Sequence, residues 1–452
     1  MLSDVVRKRL WPAFAVVLAC ATALPTSAAA AWSEKVLHHF VKAPDGEYPE
    51  TGLVMDGKGN LYGATYVGGA TDNGAIFELS PPATSGGSWK ETVIYSFGGG
   101  NDGTNPSSAL VLDANGNLFG TTEAGGGGNC ASMGPGPGCG AVFELSPPTK
   151  AGGDWTETIL HRFINGAAGG ADGNRPSNLI AGPDGRFYGT TGLGGSSSCG
   201  GFDFGCGVVF ELDPPATKGG TWTETVLHTF LNYAVSDGAG AGPLVLDAKG
   251  NLFGLTAYSG GACPLCGTAY ELSPPAKPGG HWSFATLHNF GANGCEPFGL
   301  VSGPEGSLYG VLHVGGSATC FAGYGSAFKL GPPAKAGDKW TESLLYSFLG
   351  GKDGGDPTRG LVLDAKGNLF GTTDSGGSTY CAGSGCGTVF ELSPPSAAGG
   401  KWKEAVLHVF GTSLADGQYP EAGVIKDSKG NLYGTTSYPV VFGAGEVFEL
   451  TP

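Results

Sequence analysis

The chain has 452 residues, of which 85 are Gly and 30 are Pro, and its formal charge is −15 at pH 7. So acidic a surface repels phosphate backbones, and no basic patch offsets it, which excludes nucleic acid as a partner. A glycine share of about 19%, against an ordinary share of about 7%, would suggest disorder if it lacked a period.

Residues 1–30 read as a secretory signal: Arg7, Lys8 and Arg9, an apolar run from Leu10 to Leu24, then "PTSAAAA" before Trp32. The run is too short to span a bilayer comfortably. Cleavage is expected near Ala30, leaving residues 31–452 as one secreted domain, periplasmic or extracellular. The rival reading is a lipoprotein anchored through Cys20 in "VVLAC", a box that Leu18 fits poorly. Loss of Asp4 and the three basic residues takes the charge to −17. No later apolar stretch is long enough for a membrane span.

From Trp32 onward one pattern recurs. "GNLYGAT" begins at Gly59, and variants follow at Gly116, Gly185, Gly250, Gly306, Gly367 and Gly430, making seven copies about 60 residues apart. Each copy holds four phrases; in the second they are "WKETVIYSF" (89–97), "ALVLDANG" (109–116), "NLFGTT" (117–122) and "AVFELSPP" (141–148). All are rich in β-branched and aromatic residues and bounded by Gly, Pro, Asn and Asp, so each reads as a short strand. "DANGN" reads as a tight hairpin turn, and the prolines of "SPP" stop the fourth phrase. No window shows a helical period.

Seven like units of four antiparallel strands predict an all-β fold: a seven-bladed β-propeller. The "LVLD" phrase is expected to be the innermost strand. The mature chain starts on an outer-strand phrase, "WSEKVLHHF" (32–40), and finishes on "GEVFELTP" (445–452). The N-terminal strand is therefore expected to join the C-terminal blade and close the ring.

The phrase set W-x-E-x-V-L-H-x-F, D-G-x-x-P, L-V-x-D-x-x-G-N-L-Y-G-T-T and V-F-E-L-S-P-P resembles the GloVer tandem-repeat family of secreted bacterial proteins, over Trp32 to Pro452. The resemblance implies an exported protein, often tethered by a C-terminal sorting signal; the sequence stops on its last repeat, so such a tether is not expected. It implies no particular activity. More distantly the layout resembles NHL and lactonase-like propellers, an analogy of fold only.

Ten cysteines follow the signal, an even number suited to disulfides in an oxidising compartment. Cys130, Cys139, Cys199, Cys206, Cys263, Cys266, Cys320, Cys381 and Cys386 fall between the "GTT" and "VFEL" strands, and Cys295 precedes an inner strand. Both loop types emerge on one face of a propeller. The expected bridges are Cys130–Cys139, Cys199–Cys206, Cys263–Cys266, Cys295–Cys320 and Cys381–Cys386, each worth about 2–3 kcal/mol where it closes a short loop. "CPLC" at 263–266 also matches a thiol-redox or half-zinc spacing, but it occupies the stapled slot and lacks a second pair.

His38, His161, His228, His288 and His408 share one outer-strand position with Tyr95 and Tyr346, so that slot reads as packing and hydrogen bonding rather than metal ligation. The recurrent Glu of "VFEL" is read the same way. Asp45, Asp102, Asp172, Asp353 and Asp416 of D-G-x-x-P suit a turn. No metal or cofactor set is expected; calcium at those turns is the alternative, although they lack the dense run of oxygens of known calcium loops.

Function is sought where the repeats differ. The residues after "GTT" include Tyr66, Glu123, His313 and Asp374; those before the inner strands include Glu50, Asn178, Arg359 and Glu421. These eight form the candidate ligand-binding ring at the channel mouth. No nucleophile elbow, zincin helix or P-loop phrase is present, and "GGGG" (125–128) precedes no helix, so no catalytic residue is assigned. The expected function is a non-enzymatic binding or scaffold module for an extracellular glycan or protein, acting as a monomer. The alternative is a lactonase-like or sugar-cleaving hydrolase or lyase using Glu50, Glu123, His313, Asp374 and Glu421, with or without a divalent cation.

Overall fold

The computed structural model describes Trp32 to Pro452, apart from residues 42, 85, 129, 131–137, 151, 165–170, 196–198, 200–204, 218, 232–236, 259–265, 278, 292, 316–322, 336–337, 379–380, 398, 414–415 and 440–442. The expected signal and Cys20 lie outside these residues. Among the described residues no helix is long and apolar enough to cross a membrane.

Seven antiparallel blades follow one another around a ring, each four strands deep. The fourth blade is representative: inner strand Ala239–Leu246, then Leu252–Tyr258, Thr268–Ser273 and outer strand Ser283–Asn289. The seventh takes Ile425–Lys426, Leu432–Thr436 and Glu446–Thr451 from the C-terminal end and its outer strand, Ser33–His39, from the N-terminal end. The clasp runs from Ser33 opposite Thr451 to His39 opposite Glu446, with a bulge between Val36 and His38.

The repeated phrases are accounted for by packing. In "NLFGTT", Gly120 lies opposite Phe143 of "VFEL", and a Cβ there would meet the ring's Cζ at 2.7 Å. Only glycine leaves room for the ring to lie across the strand. That ring also meets Phe97, the last residue of the preceding outer-strand phrase, edge-on at 5.2 Å. The same edge contact recurs as Phe40–Phe77, Phe163–Phe210, Phe230–Tyr270 and Phe410–Phe448. The core is thus a ring of inter-blade clusters, and each aromatic pair adds about 0.5–1.5 kcal/mol beyond its burial.

The inner-to-second turn is set by an Asp. Asp113 Oδ1 accepts from the backbone N–H of Asn115 and of Asn117, both at 2.8 Å. Asp56, Asp247, Asp364 and Asp427 make the same paired bonds. The third and fifth blades carry Gly182 and Gly303 there and turn through single 3-10 turns, Pro183–Gly185 and Pro304–Gly306.

The outer-strand His/Tyr position and the D-G-x-x-P Asp are partners. Tyr95 Oη donates to Asp102 at 3.1 Å and Tyr346 Oη to Asp353 at 2.9 Å; His38 Nε2 and His408 Nε2 each stand 3.2 Å from Asp45 and Asp416. Both side chains donate, which is why they interchange. The same aspartates accept backbone N–H groups, such as Val41 N–H on Asp45 and Thr412 N–H on Asp416.

Four disulfides occur among the described residues: Cys130–Cys139, Cys199–Cys206, Cys381–Cys386 and Cys266–Cys295. The last corrects the expected Cys263–Cys266 and Cys295–Cys320 pairs. Its cause is how each inner strand docks on the blade before it. Arg175 N–H donates to Cys139 O, Gly240 N–H to Cys206 O and Tyr419 N–H to Cys386 O. Cys266 occupies the position of Cys139, Cys206 and Cys386 in the fourth blade, and Cys295 precedes the docking residue of the fifth. The two sulfurs therefore meet across the blade boundary. Cys263 and Cys320 lie outside the described residues.

Candidate functional site

The stapled face carries the channel mouth, and its shape comes from one backbone feature. The residue before the Pro in D-G-x-x-P is Tyr48, Asn105, Arg175, Glu296, Asp356 or Tyr419, and each has φ between 54° and 59°. The fourth blade has Gly240 there at φ 67°. Left-handed backbone is uncommon for residues with a Cβ and disfavours them by roughly 1–3 kcal/mol. It is held by the inter-blade hydrogen bond, as in Tyr48 N–H to Ala444 O and Asp356 N–H to Tyr324 O, both 2.8 Å.

These side chains meet the variable residues that follow "GTT". Arg175 Nη1 reaches Glu123 Oε1 at 3.4 Å, and Tyr66 Oη donates to Glu123 Oε2 at 2.7 Å. Ser375 Oγ donates to Asp356 at 2.7 Å. Tyr48 and Tyr419 both pack on Tyr438, with ring centroids 5.1 and 5.9 Å apart. None of Glu296, Arg175, Tyr48, Tyr419, Asp356 or Tyr438 was among the eight sequence candidates. For the first five the available signal was their variability before the repeat's Pro, and for Tyr438 its variable position two residues after "GTT".

Two adjoining cavities open here. One, of about 210 Å³, is lined by Glu296, Phe298, His313, Thr358, Arg359, Asp374 and Glu421. The other, of about 190 Å³, includes Asn178, Pro243, Ala257 and Pro297, and shares Phe298 and Arg359 with the first. Five of the eight sequence candidates, Asn178, His313, Arg359, Asp374 and Glu421, therefore line connected space. Glu50 joins them electrostatically: burial pushes its carboxyl up to about 7, with Glu421 adding to the rise and Arg359 opposing it. Tyr66 and Glu123 stand apart as a bonded unit with Arg175, and burial followed by the Glu123 hydrogen bond pushes the Tyr66 phenol up.

Within the larger cavity the groups differ in what they can do. His313 Nδ1 stands 3.3 Å from Pro357 O. A carbonyl only accepts, so Nδ1 carries hydrogen in that contact and Nε2 is left for a ligand. The Arg359 guanidinium lies over the Phe298 ring at 5.8 Å. Burial raises the Asp374 carboxyl; His313 opposes the rise, and Asp356 and Glu421 add to it. Glu421 is raised by burial and opposed by Arg359. The site thus offers carboxyls raised by burial, one cation, one imidazole and the Phe298 ring.

Fold and site together define a β-propeller with a polar channel mouth on its disulfide-stapled face. The chain belongs to the Gloeobacter/Verrucomicrobia repeat family, whose model matches residues 26–263, 130–337 and 266–452. Among curated proteins no match is found. Similar solved structures include a putative 6-phosphogluconolactonase from Bacteroides uniformis, 12% identical over 81% of this chain and 86% of that one, TM-score 0.45. An aldose sugar dehydrogenase with bound PQQ from Streptomyces coelicolor is 13% identical over 93% and 98%, TM-score 0.44. Pseudomonas fluorescens PhoX, in complex with vanadate, is 12% identical over 93% and 95%, TM-score 0.44. Likenesses this distant transfer no activity.

Proposed function

We propose that this protein is an exported binding module that takes a saccharide at the channel mouth of its stapled face. The observation that carries the reading is the gathering of Glu296, His313, Arg359, Asp374 and Glu421 around one cavity, with a second cavity beside it. Together the two have a volume within the usual range for small-molecule sites, about 300–1,000 Å³. A sugar presents hydroxyls that both donate and accept. Glu421, Glu296 and His313 Nε2 accept them, Arg359 donates, and protonated Glu50 does either. Phe298, which lines both cavities, supplies flat apolar surface for the ring's C–H faces. The four disulfides fit an oxidising compartment outside the cytoplasm.

A glycan array with the mature protein, followed by calorimetry on the best ligand, tests the reading. Arg359→Ala and Glu421→Gln are each expected to weaken binding at least tenfold. An array without hits, or a ligand whose affinity ignores both changes, overturns it.

A second reading, cleavage of the bound sugar, is favoured by one observation. The raised Asp374 carboxyl shares the cavity with His313, and perturbed groups in a cleft mark candidate acids and bases. Mass spectrometry of the glycan after incubation separates the two: an unchanged ligand supports the binding module.

A further inference from the structure

We propose that a calcium-class divalent cation binds inside the clasp, held by Glu34 of the N-terminal strand, Glu446 of the C-terminal strand and Asp416. The proposal starts from a departure in the repeat. The first residue of the third strand is Ala75, Ala141, Val208, Thr268, Ser326 and Thr388 in the first six blades. In the seventh blade alone it is a carboxylate, Glu446.

Glu446 is shut inside the protein, its side chain 1% exposed. Its Oε2 stands 3.2 Å from His39 Nδ1, and Oε1 makes no well-formed hydrogen bond. Glu34 Oε1 and Thr436 Oγ1 are likewise buried without a partner, as are Glu91, Glu157, Glu224, Glu342 and Glu404 at the outer-strand position in other blades, so what sets the clasp apart is the added carboxylate of Glu446. A Cβ on Gly417 would collide with both Thr436 Oγ1 and Glu446 Oε1, so those two oxygens face the same point. A buried polar atom left unmatched is unfavourable, and several together call for a shared partner.

The geometry suits a large hard cation. One oxygen each from Glu34, Asp416 and Glu446 lie within 4.8 Å of one another. Oxygens bound to one calcium at about 2.4 Å lie no farther apart than about 4.8 Å. Three carboxylates and a hydroxyl supply oxygen ligands only, the preference of calcium over zinc. Asp416 is oriented from behind by His408 Nε2 at 3.2 Å and by Thr412 N–H and Oγ at 2.8 and 2.9 Å. The ion would link the first strand of the chain to the last.

The test uses the mature protein stripped with chelator, then given calcium chloride. Metal analysis after dialysis, with thermal melting alongside, is read for the wild type, Glu446→Thr, Glu34→Gln and, as control, Glu91→Gln. Thr is the residue of the fourth and sixth blades at this position, so the first variant should fold. The wild type is expected to hold one more equivalent than Glu446→Thr, and to melt on the order of 3 °C higher at a hundredfold excess over Kd. Glu34→Gln should weaken uptake at least tenfold, while Glu91→Gln keeps it. Without calcium, Glu446→Thr should melt at or above the wild type. Equal calcium in wild type and Glu446→Thr, or no calcium in the folded wild type at millimolar concentration, overturns the proposal.

Discussion

The Tyr66 hydroxyl donates to Glu123 across the boundary between the first and second blades, at 2.7 Å, and Arg175 of the third blade holds the other carboxylate oxygen at 3.4 Å. Three successive blades are linked through one carboxylate. Glu123 is therefore occupied, whereas Glu421 lines the open cavity. Glu421→Gln should weaken ligand binding at least tenfold and Glu123→Gln less than about threefold, read by calorimetry. A larger effect at Glu123 would reverse these roles.

Acidity should stabilise this protein over a range where many proteins change little. The outer-strand glutamates Glu224 and Glu404 are pushed up to about 7 by burial, with Asp172 and Asp353 adding to the rise; Glu157 is raised by burial and by Asp102. In the unfolded chain these groups lose their protons near pH 4.5, so between that value and about 7 the folded state binds more protons. Stability then falls as pH rises through that window. His161, lowered by burial, works in the opposite sense and limits the gain below about pH 6. In chelator at constant ionic strength, the melting temperature should be several degrees higher at pH 6 than at pH 8. A flat or rising profile would show that the interfaces admit water freely.

Cys266–Cys295 joins two blades and spans 29 residues. In the chain-entropy model its loss removes about 3–4 kcal/mol, more than a five- to nine-residue loop staple. Cys295→Ala should therefore lower the melting temperature more than Cys381→Ala does. Peptide mapping without reduction should recover the segments around Cys266 and Cys295 as one linked species.

Phe40 follows the clasp strand, is fully buried and meets Phe77 of the first blade at 5.0 Å. Phe40→Ala should cost about 3–5 kcal/mol, the usual loss for a large aromatic in a packed core. Deletion of residues 32–40 should go further and abolish the cooperative transition in calorimetry. A truncated chain that melts unchanged would mean the ring closes some other way.

The ring, the blade count and the clasp were legible because every strand phrase is written seven times. Gly120 and Phe143 recur together since one makes room for the other. The site was half legible: Asn178, His313, Arg359, Asp374 and Glu421 stand at variable positions that the blade geometry turns toward one mouth. Glu296 and Arg175 were passed over because left-handed backbone at a residue with a Cβ leaves no mark in its letter. The Cys266–Cys295 pair escaped because spacing along the chain favoured Cys263, while the actual pairing follows which strand docks on which blade. Glu446 was visible as a letter, but its burial beside Glu34 depends on contact between the two ends of the chain.

That contact has a consequence for how the protein is made. Among the described strands Ser33–His39 is made before all the others, yet its hydrogen-bonding partner, Glu446–Thr451, is made after them. Throughout synthesis the earliest strand has no edge to join, and the nearly finished chain is an open arc with both end blades unpaired. Closure must wait for the third strand of the seventh blade, the slowest kind of contact by sequence separation.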